Sequence, residues 1–315
     1  MKAVICRSQD SFDWGEVPEP TRRDGEVIVS VRATAVNRAD LLQAAGKYPP
    51  PPGESEILGL EASGVVDETG EAVCFLLPGG GYAEKVAVPR ALLMPVPQAL
   101  SFEEAAAIPE AWLTAFLNLV MEAGLADKES VLLHAAASGV GTAGIQLAKK
   151  YGCRVAVTAR SAEKLRVLSA MGADLGLDTS DGQFAGGIEG EWGKDAVSVI
   201  LDPVGGSFFP QNVQVLARGG RLIQIATMGG PKSEIDLRAL MAKRLRIIGS
   251  TLRNRSLAEK SEITRRFLAE VLPGFQSGAL KPVIHAVLPI TQVAEAHDIL
   301  TGNENIGKVV LTVPV

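Results

Sequence analysis

Three cysteines are all this chain has. Cys6, Cys74 and Cys153 stand far apart without C-x-x-C spacing. An odd, unpatterned set excludes a disulfide framework and a structural zinc site, and a reducing, cytoplasmic compartment is expected. Histidine is as scarce. His134, His285 and His297 are widely separated, and His134 and His297 are expected to be packed or hydrogen-bonded rather than metal ligands. No metal is expected. Aromatics make up 5% and the net charge is −5, which argues against a nucleic-acid surface. The basic residues Lys243, Arg244, Arg246, Arg253 and Arg255 read as a solvated helix end plus cofactor-facing side chains. A membrane span needs about 20 apolar residues. The most apolar long segment, Ala105 to Ala126, is interrupted by Glu110, Asn118 and Glu122, so no membrane association is expected. "MKAVICR" has no apolar core of the length a signal peptide requires.

What remains is an ordinary globular composition, 315 residues with 47% hydrophobic residues and 33 glycines. That length suggests about two domains. The first third reads as short strands and loops, "KAVICR", "EVIVSVRATAV", "ASGVVDE" and "AVCFLL". A short helix is expected from Asn37, which can cap it, to Gly46, which can end it. A proline-rich loop, "YPPPPGESE", follows. From Ser101 to Gly124 the pattern is helical, with a break or kink at Pro109. Apolar strands and helices then alternate, as in a parallel doubly wound sheet. Residues 174–193 are less regular and are left unassigned. A long helix from Leu257, the segment "VIHAVLPI", the helix "QVAEAHDIL" and the strand "KVVLTV" complete the chain.

"VLLHAAASGVGTAGIQLAKK" carries Gly139, Gly141 and Gly144 as G-x-G-x-x-G between a strand and a helix. Gly139 would allow the tight turn, Gly141 the approach of a pyrophosphate, and Gly144 close helix–strand packing. Free N–H groups at the helix start would receive the phosphates. An NAD site usually has an acid at the end of the second strand. None occurs from Tyr151 to Ala162, where Arg160, Ser161 and Lys164 stand instead. Two cations and a hydroxyl make a phosphate clamp, so the expected cofactor is NADPH. The alternative is that Ser161 merely caps the helix while the cations face solvent.

Without a zinc to polarise an unactivated carbonyl, the acceptor should already be electrophilic, a quinone or an enone. "AVNRADLLQAAGKYPPPPGESEILGLEASGVV", "LLPGGGYAEKVAVP", "AAAIPEAWLTAFLNL", "AAASGVGTAGIQLAK", "DPVGG" and "GSTLRNRS" together resemble the zinc-independent quinone oxidoreductases. These form the zeta-crystallin-like branch of the medium-chain dehydrogenase/reductase superfamily, and the tumour-suppressor-induced subgroup is the most similar. Almost the whole chain takes part in the resemblance.

The resemblance implies an α/β fold: a Rossmann doubly wound parallel sheet domain at 113–280 plus a β-rich GroES-like domain from 1–112 and 281–315. The active site would be the cleft between these domains. It implies a homodimer or tetramer using NADPH to reduce a small-molecule quinone. Zinc-bearing relatives have a Cys where this chain has Asn37 and a His where it has Leu60. Tyr48 and Asn37 would hydrogen-bond the acceptor. The cofactor would be held by Thr114, Ser138, Gly139, Val140, Gly141 and Gly144, by Thr227 and Met228, by Ser250, Thr251 and Leu252, and by Asn305. Each has a plainer reading: Tyr48 as a loop anchor, Thr114 bonding its own helical turn, Asn305 serving a turn. The segment before Ala72 is shorter than in relatives, so that part of the GroES-like domain is expected to be less stable. Alternatives are an NADPH-dependent enal or enone reductase, and an NADPH-binding protein that binds RNA or serves a structural role.

Overall fold

The computed structural model describes residues 1–9 and 11–314. By internal packing the chain divides into two units, Met1–Leu113 with Leu252–Val315, and Thr114–Thr251. In chain order the first unit begins with the antiparallel pair β1 (Lys2–Ser8) and β2 (Ser11–Glu16). There follow β3 (Glu26–Ala35), α1 (Arg38–Ala44), β4 (Glu61–Val66), β5 (Ala72–Leu76), β6 (Lys85–Pro89) and β7 (Leu93–Pro95). Asn37 caps α1 in a reciprocal capping box with Asp40, and Gly46 follows it at φ +68°. The helix expected from Ser101 is three pieces: α2 (Phe102–Ala106), α3 (Pro109–Phe116) and a π-helical turn at Leu117–Glu122. Pro109 therefore starts a new helix at a position where its missing N–H costs nothing.

The second unit contains β8 (Ser130–Leu133), α4 (Gly139–Lys150), β9 (Arg154–Ala159), α5 (Ala162–Ala170), β10 (Leu175–Asp178) and α6 (Ala185–Trp192). Next come β11 (Val197–Asp202), α7 (Phe209–Val215), β12 (Leu216–Gln224), α8 (Leu237–Lys243) and β13 (Arg246–Gly249). Its sheet runs β10-β9-β8-β11-β12-β13 and is wholly parallel. Strands buried on both faces explain the continuous apolar runs: β8 is buried throughout. The unassigned stretch 174–193 supplies β10 and α6.

The chain then returns to the first unit through α9 (Leu257–Glu270), α10 (Leu272–Gln276), β14 (Ile284–Pro289), α11 (Val293–Thr301) and β15 (Lys308–Thr312). The expected boundary at 280 and the packing boundary at 251 differ by residues 252–280. There α9 packs on β7 and on the 3-10 turn at Arg90–Leu92. The first unit's main sheet runs β14-β15-β3-β4-β5-β7, with β6 also on β3. The shortened segment before Ala72 forms a closed hairpin: β4 and β5 pair from Glu61↔Leu76 to Val65↔Ala72. Beside its turn, Asp67 pairs with Lys85 at 3.1 Å.

One buried ion pair joins the two ends of this unit's chain. Lys308 of β15 lies 2.7 Å from Glu61 of β4, and both are almost wholly buried. The Lys308 ammonium also donates to the Asn37 side-chain carbonyl (2.6 Å) and the Val36 carbonyl (2.8 Å), using all three protons. Removing one partner of such a pair leaves an uncompensated buried charge, at a cost of about 3–5 kcal/mol. Lys308→Met is therefore expected to lower the melting temperature of the first unit markedly. Lys308→Met with Glu61→Leu should recover part of the loss. A single variant that melts with the wild type would show the pair to be irrelevant to stability.

Candidate cofactor and acceptor sites

In the second unit the glycine turn follows β8, where the strand order reverses toward β11. Ligands of open parallel sheets bind in this crevice. The turn is laced to the end of β9. Ala135, at φ +48°, donates its N–H to Thr158 Oγ1 (3.3 Å), and Ala136 donates to the Thr158 carbonyl (3.0 Å). Ser138 caps α4, accepting from the Gly141 N–H at 3.1 Å. The first amides of α4 have no intrahelical partner, and the macrodipole favours an anion there.

Gly141 has a reason beyond the expected one. A Cβ there would lie 2.4 Å from the Ala136 Cα and carbonyl oxygen. The residue is glycine because the turn folds back onto the strand end. At Gly144 a Cβ would press on the Leu133 methyls at 3.2–3.3 Å, which is close helix–strand packing. Gly141→Ala should therefore distort the turn and weaken NAD(P)H binding at least tenfold, about 1.4 kcal/mol, as read by nucleotide fluorescence titration. Unaltered affinity would remove the turn from the cofactor site.

The remaining candidates of this unit differ in exposure. Thr114 is half-buried, and its carbonyl accepts from the Asn118 side-chain amide (2.7 Å). The Asn118 Oδ1 and the Ser250 Oγ are buried with no partner among the described residues. Buried polar atoms are rarely left so, and both fit a site that a polar ligand group completes. Asn118 was absent from the sequence candidates, since an amide one turn after Thr114 gives no local signal. Thr227, Met228 and Thr251 are exposed. The loop at Thr227 is tied down, Met228 N–H donating to Pro203 O (3.1 Å) and Gly229 N–H to Val204 O (2.6 Å).

Arg160 is exposed, with no hydrogen bond or ion pair among the described residues. Ser161 does cap α5, accepting from the Lys164 N–H, which still leaves its hydroxyl proton to donate. The structure adds an acid that the sequence reading missed. Asp178 ends β10 with its Cα opposite Ala159, and its carboxylate accepts from Ser180 N–H at 2.9 Å.

Leu252 and Asn305 belong to the first unit. Leu252 is buried. Asn305 serves a turn, donating to Gly307 O at 2.7 Å.

The acceptor candidates lie around the Lys308–Glu61 pair. Glu61 accepts from the Asn37 amide through Oε1 (2.8 Å) and from the Glu110 backbone N–H through Oε2 (2.8 Å). The Asn37 amide gives its second proton to Ala35 O (3.1 Å), so both its donors are committed. Asp40, fully buried, accepts from the N–H groups of Asn37 (2.8 Å) and Gly59 (3.0 Å). Burial raises its pKa to about 6 against those two bonds. Arg253 is buried without a paired carboxylate. It donates to Pro78 O (2.8 Å), Tyr48 O (3.2 Å) and Gln43 Oε1 (2.6 Å), and its guanidinium lies 5.0 Å from the Tyr48 ring centre.

Two acidic ends in this neighbourhood stay uncommitted among the described residues, the Tyr48 hydroxyl and the Glu110 carboxyl. Burial raises the Tyr48 phenol, with Arg253 opposing it. Burial, then the Glu61 charge, pushes Glu110 up to about 8. Glu110 is in the first turn of α3, where a helix end favours a carboxylate by about 0.3–1 kcal/mol. That is too little to restore an ordinary acidity. Among the described residues no group of three His, Cys, Asp or Glu side chains is placed to hold a metal ion. Leu60 is buried. No helix is long and apolar enough to cross a membrane among these residues.

The chain matches two family models, the alcohol dehydrogenase GroES-like domain over residues 23–98 and the zinc-binding dehydrogenase family over residues 139–269. It is 30% identical to the quinone oxidoreductase of Mus musculus, over 94% of this chain and 92% of that one. Among solved structures, the quinone oxidoreductase of Thermus thermophilus, also known in complex with NADPH, is 32% identical at a TM-score of 0.85, covering 99% of this chain and 100% of that one. An NAD-dependent alcohol dehydrogenase is 32% identical at 0.86, covering 100% of both chains. The CurK enoyl reductase is 25% identical at 0.86, covering 99% of both. With a GroES-like unit, a 3-2-1-4-5-6 parallel sheet and relatives matched over nearly their whole length, the chain belongs to the medium-chain dehydrogenase/reductase superfamily and is one of its NAD(P)-dependent oxidoreductases.

Proposed function

We propose that this oxidoreductase reduces quinones with NADPH and without zinc, as a cytoplasmic homodimer of the zeta-crystallin-like branch. The observation that carries the acceptor reading is Tyr48. Its half-buried ring is held against Arg253 and its hydroxyl is uncommitted, an amphipathic plate suited to a planar conjugated carbonyl compound. The likeness to quinone oxidoreductases supports the same acceptor. Asn37 acts there through the network it holds, its donors being spent on Glu61 and Ala35. When bound, the reduced nicotinamide supplies the hydride. The proposed cofactor contacts are Thr114, Ser138, Gly139, Val140, Gly141 and Gly144, Thr227 and Met228, Ser250, Thr251 and Leu252, and Asn305.

NADPH is favoured over NADH by Arg160, by the free proton of Ser161 and by Lys164. Asp178 opposes this only weakly, since it is exposed and already bonded to Ser180. Arg160→Ala and Lys164→Ala should each raise the KM for NADPH about 10- to 100-fold, the worth of one charged contact, and leave that for NADH unaltered. Equal loss with both nucleotides would sink the clamp. Turnover of 1,4-benzoquinone, followed by loss of reduced-nucleotide absorbance, tests the acceptor.

A second reading, an enal or enone reductase, is favoured by Glu110. It adds a proton-bearing group beside Tyr48, which the sequence alone did not provide. Turnover of enones but not quinones would promote it. An RNA-binding role gains no support from the basic residues. Lys243 caps the carbonyls of Val213, Gln214 and Leu216 and pairs with Asp195, Arg246 bonds Glu122 O, and Arg253 is buried.

Dimerisation is supported by β13, the edge strand of the parallel sheet. Ile247 on β13 is exposed, as are Leu237 and Met241 on α8. An unpaired apolar edge is a pairing surface. Light scattering should give twice the chain mass, and Ile247→Lys should shift it toward the monomer. A monomeric wild type would refute the proposal.

A further inference from the structure

We propose that the Glu110 carboxyl is the proton donor to the reduced acceptor, working beside the Tyr48 hydroxyl. This rests on the reading that the acceptor takes up a hydride in this part of the first unit. Hydride addition leaves a quinone as the hydroquinone monoanion, two electrons richer and one proton short. The O–H bond of neutral Glu110 breaks as an O–H bond forms on the remaining acceptor oxygen. The electron pair has come from the reduced nicotinamide, and water returns a proton to the carboxylate.

The choice of Glu110 follows by elimination. The four charged groups that act on it most strongly after burial, Glu61, Lys308, Asp40 and Arg253, are each held by their neighbours. Glu61 of β4 spends both oxygens on Lys308, Asn37 and the Glu110 amide. Asp40 of α1 spends both on backbone N–H groups. Lys308 of β15 has used its three protons, and Arg253 is bonded to three carbonyl-type oxygens. Glu110 alone offers a carboxyl without a partner among the described residues, half-buried and so open to a ligand. Lys260 of α9 also acts on it electrostatically, but forms no ion pair with it. Burial opposes ionisation of the Glu110 side chain and the Glu61 charge adds to it, while Glu61 also anchors the Glu110 backbone, so the site both positions the group and keeps it protonated at neutral pH.

The test uses the full chain with NADPH and 1,4-benzoquinone. Wild-type kcat should decline above about pH 8, as the carboxyl ionises. Glu110→Gln should lower kcat on the order of 100-fold, with little effect on KM for NADPH, and should abolish that decline. Glu110→Asp should restore part of the rate. Carboxyl-labelled glutamate read by 13C NMR, with Glu110→Gln assigning the signal, should show Glu110 titrating near 8 in the protein without nucleotide. If the Gln variant fails to fold, the Asp variant and the one glutamate signal titrating near 8 decide instead. A Glu110 that titrates in the ordinary carboxylate range, or a Gln variant with wild-type kcat and pH profile, overturns the proposal and leaves quinone reduction standing. A wild type that turns over no quinone and no enone removes the functional reading and this assignment together.

Discussion

The buried contact between Lys308 and Glu61 constrains most of the first unit. Two charges withdrawn from water are tolerable only where every proton and lone pair has a partner. The chain meets that demand with Asn37, the Val36 carbonyl and the first turn of α3. Four separate segments, β15, the start of α1, β4 and α3, must therefore meet at one point. The C-terminal strand enters the sheet beside β3 in the register Val310↔Ala35, which brings Lys308 there. This is why residues nearly three hundred positions apart form one unit, with the intervening parallel sheet as its own body.

The second unit uses a hydrogen-bonded network for the same purpose. Asn212 donates to Asp202 at 2.8 Å, so its carbonyl must accept from His134 Nε2 at 2.7 Å. That leaves the neutral imidazole Nδ1 to accept from Thr158 Oγ1 at 3.1 Å. Burial lowers the His134 pKa, in keeping with this neutral tautomer. Asp202 also holds the N–H groups of Val204 and Gly205. The ends of β8, β9 and β11 are thereby fixed to one another and to the two turns that follow β8 and β11. A dinucleotide-binding turn is most useful when it does not need ordering on binding, and a fully satisfied buried network supplies that rigidity.

The parallel sheet was legible because its strands are apolar runs bounded by turns and its helices are amphipathic. β10 and α6 were missed where that contrast fades: β10 has alternate residues exposed, and α6 contains three glycines in eight residues. The glycine turn was found, but this further reason for Gly141 was not, because a clash with the Ala136 backbone is a matter of three-dimensional folding. The proposed acceptor residues, Tyr48 and Asn37, were legible only by resemblance. Arg253 read as part of a solvated helix end or of a set of cofactor-facing side chains, and nothing in a linear sequence shows that its guanidinium turns inward onto Tyr48. Glu110 looked like an interruption of an apolar helix. Its character comes from burial and then from Glu61, forty-nine positions earlier.

The two acids that escaped the sequence reading differ in what their surroundings make of them. Asp178 is exposed and bonded to Ser180, which lowers its pKa. It stays charged, and water and salt screen that charge over about 8 Å. Its weight against a phosphate at Arg160 is small. Glu110 is half-buried, and burial together with the Glu61 charge makes ionisation what its site resists. A carboxyl of that kind is a poor electrostatic anchor and a good reservoir for one proton. Quinone and enone reduction both end with a proton that the nicotinamide does not carry, which such a group, or water, can supply.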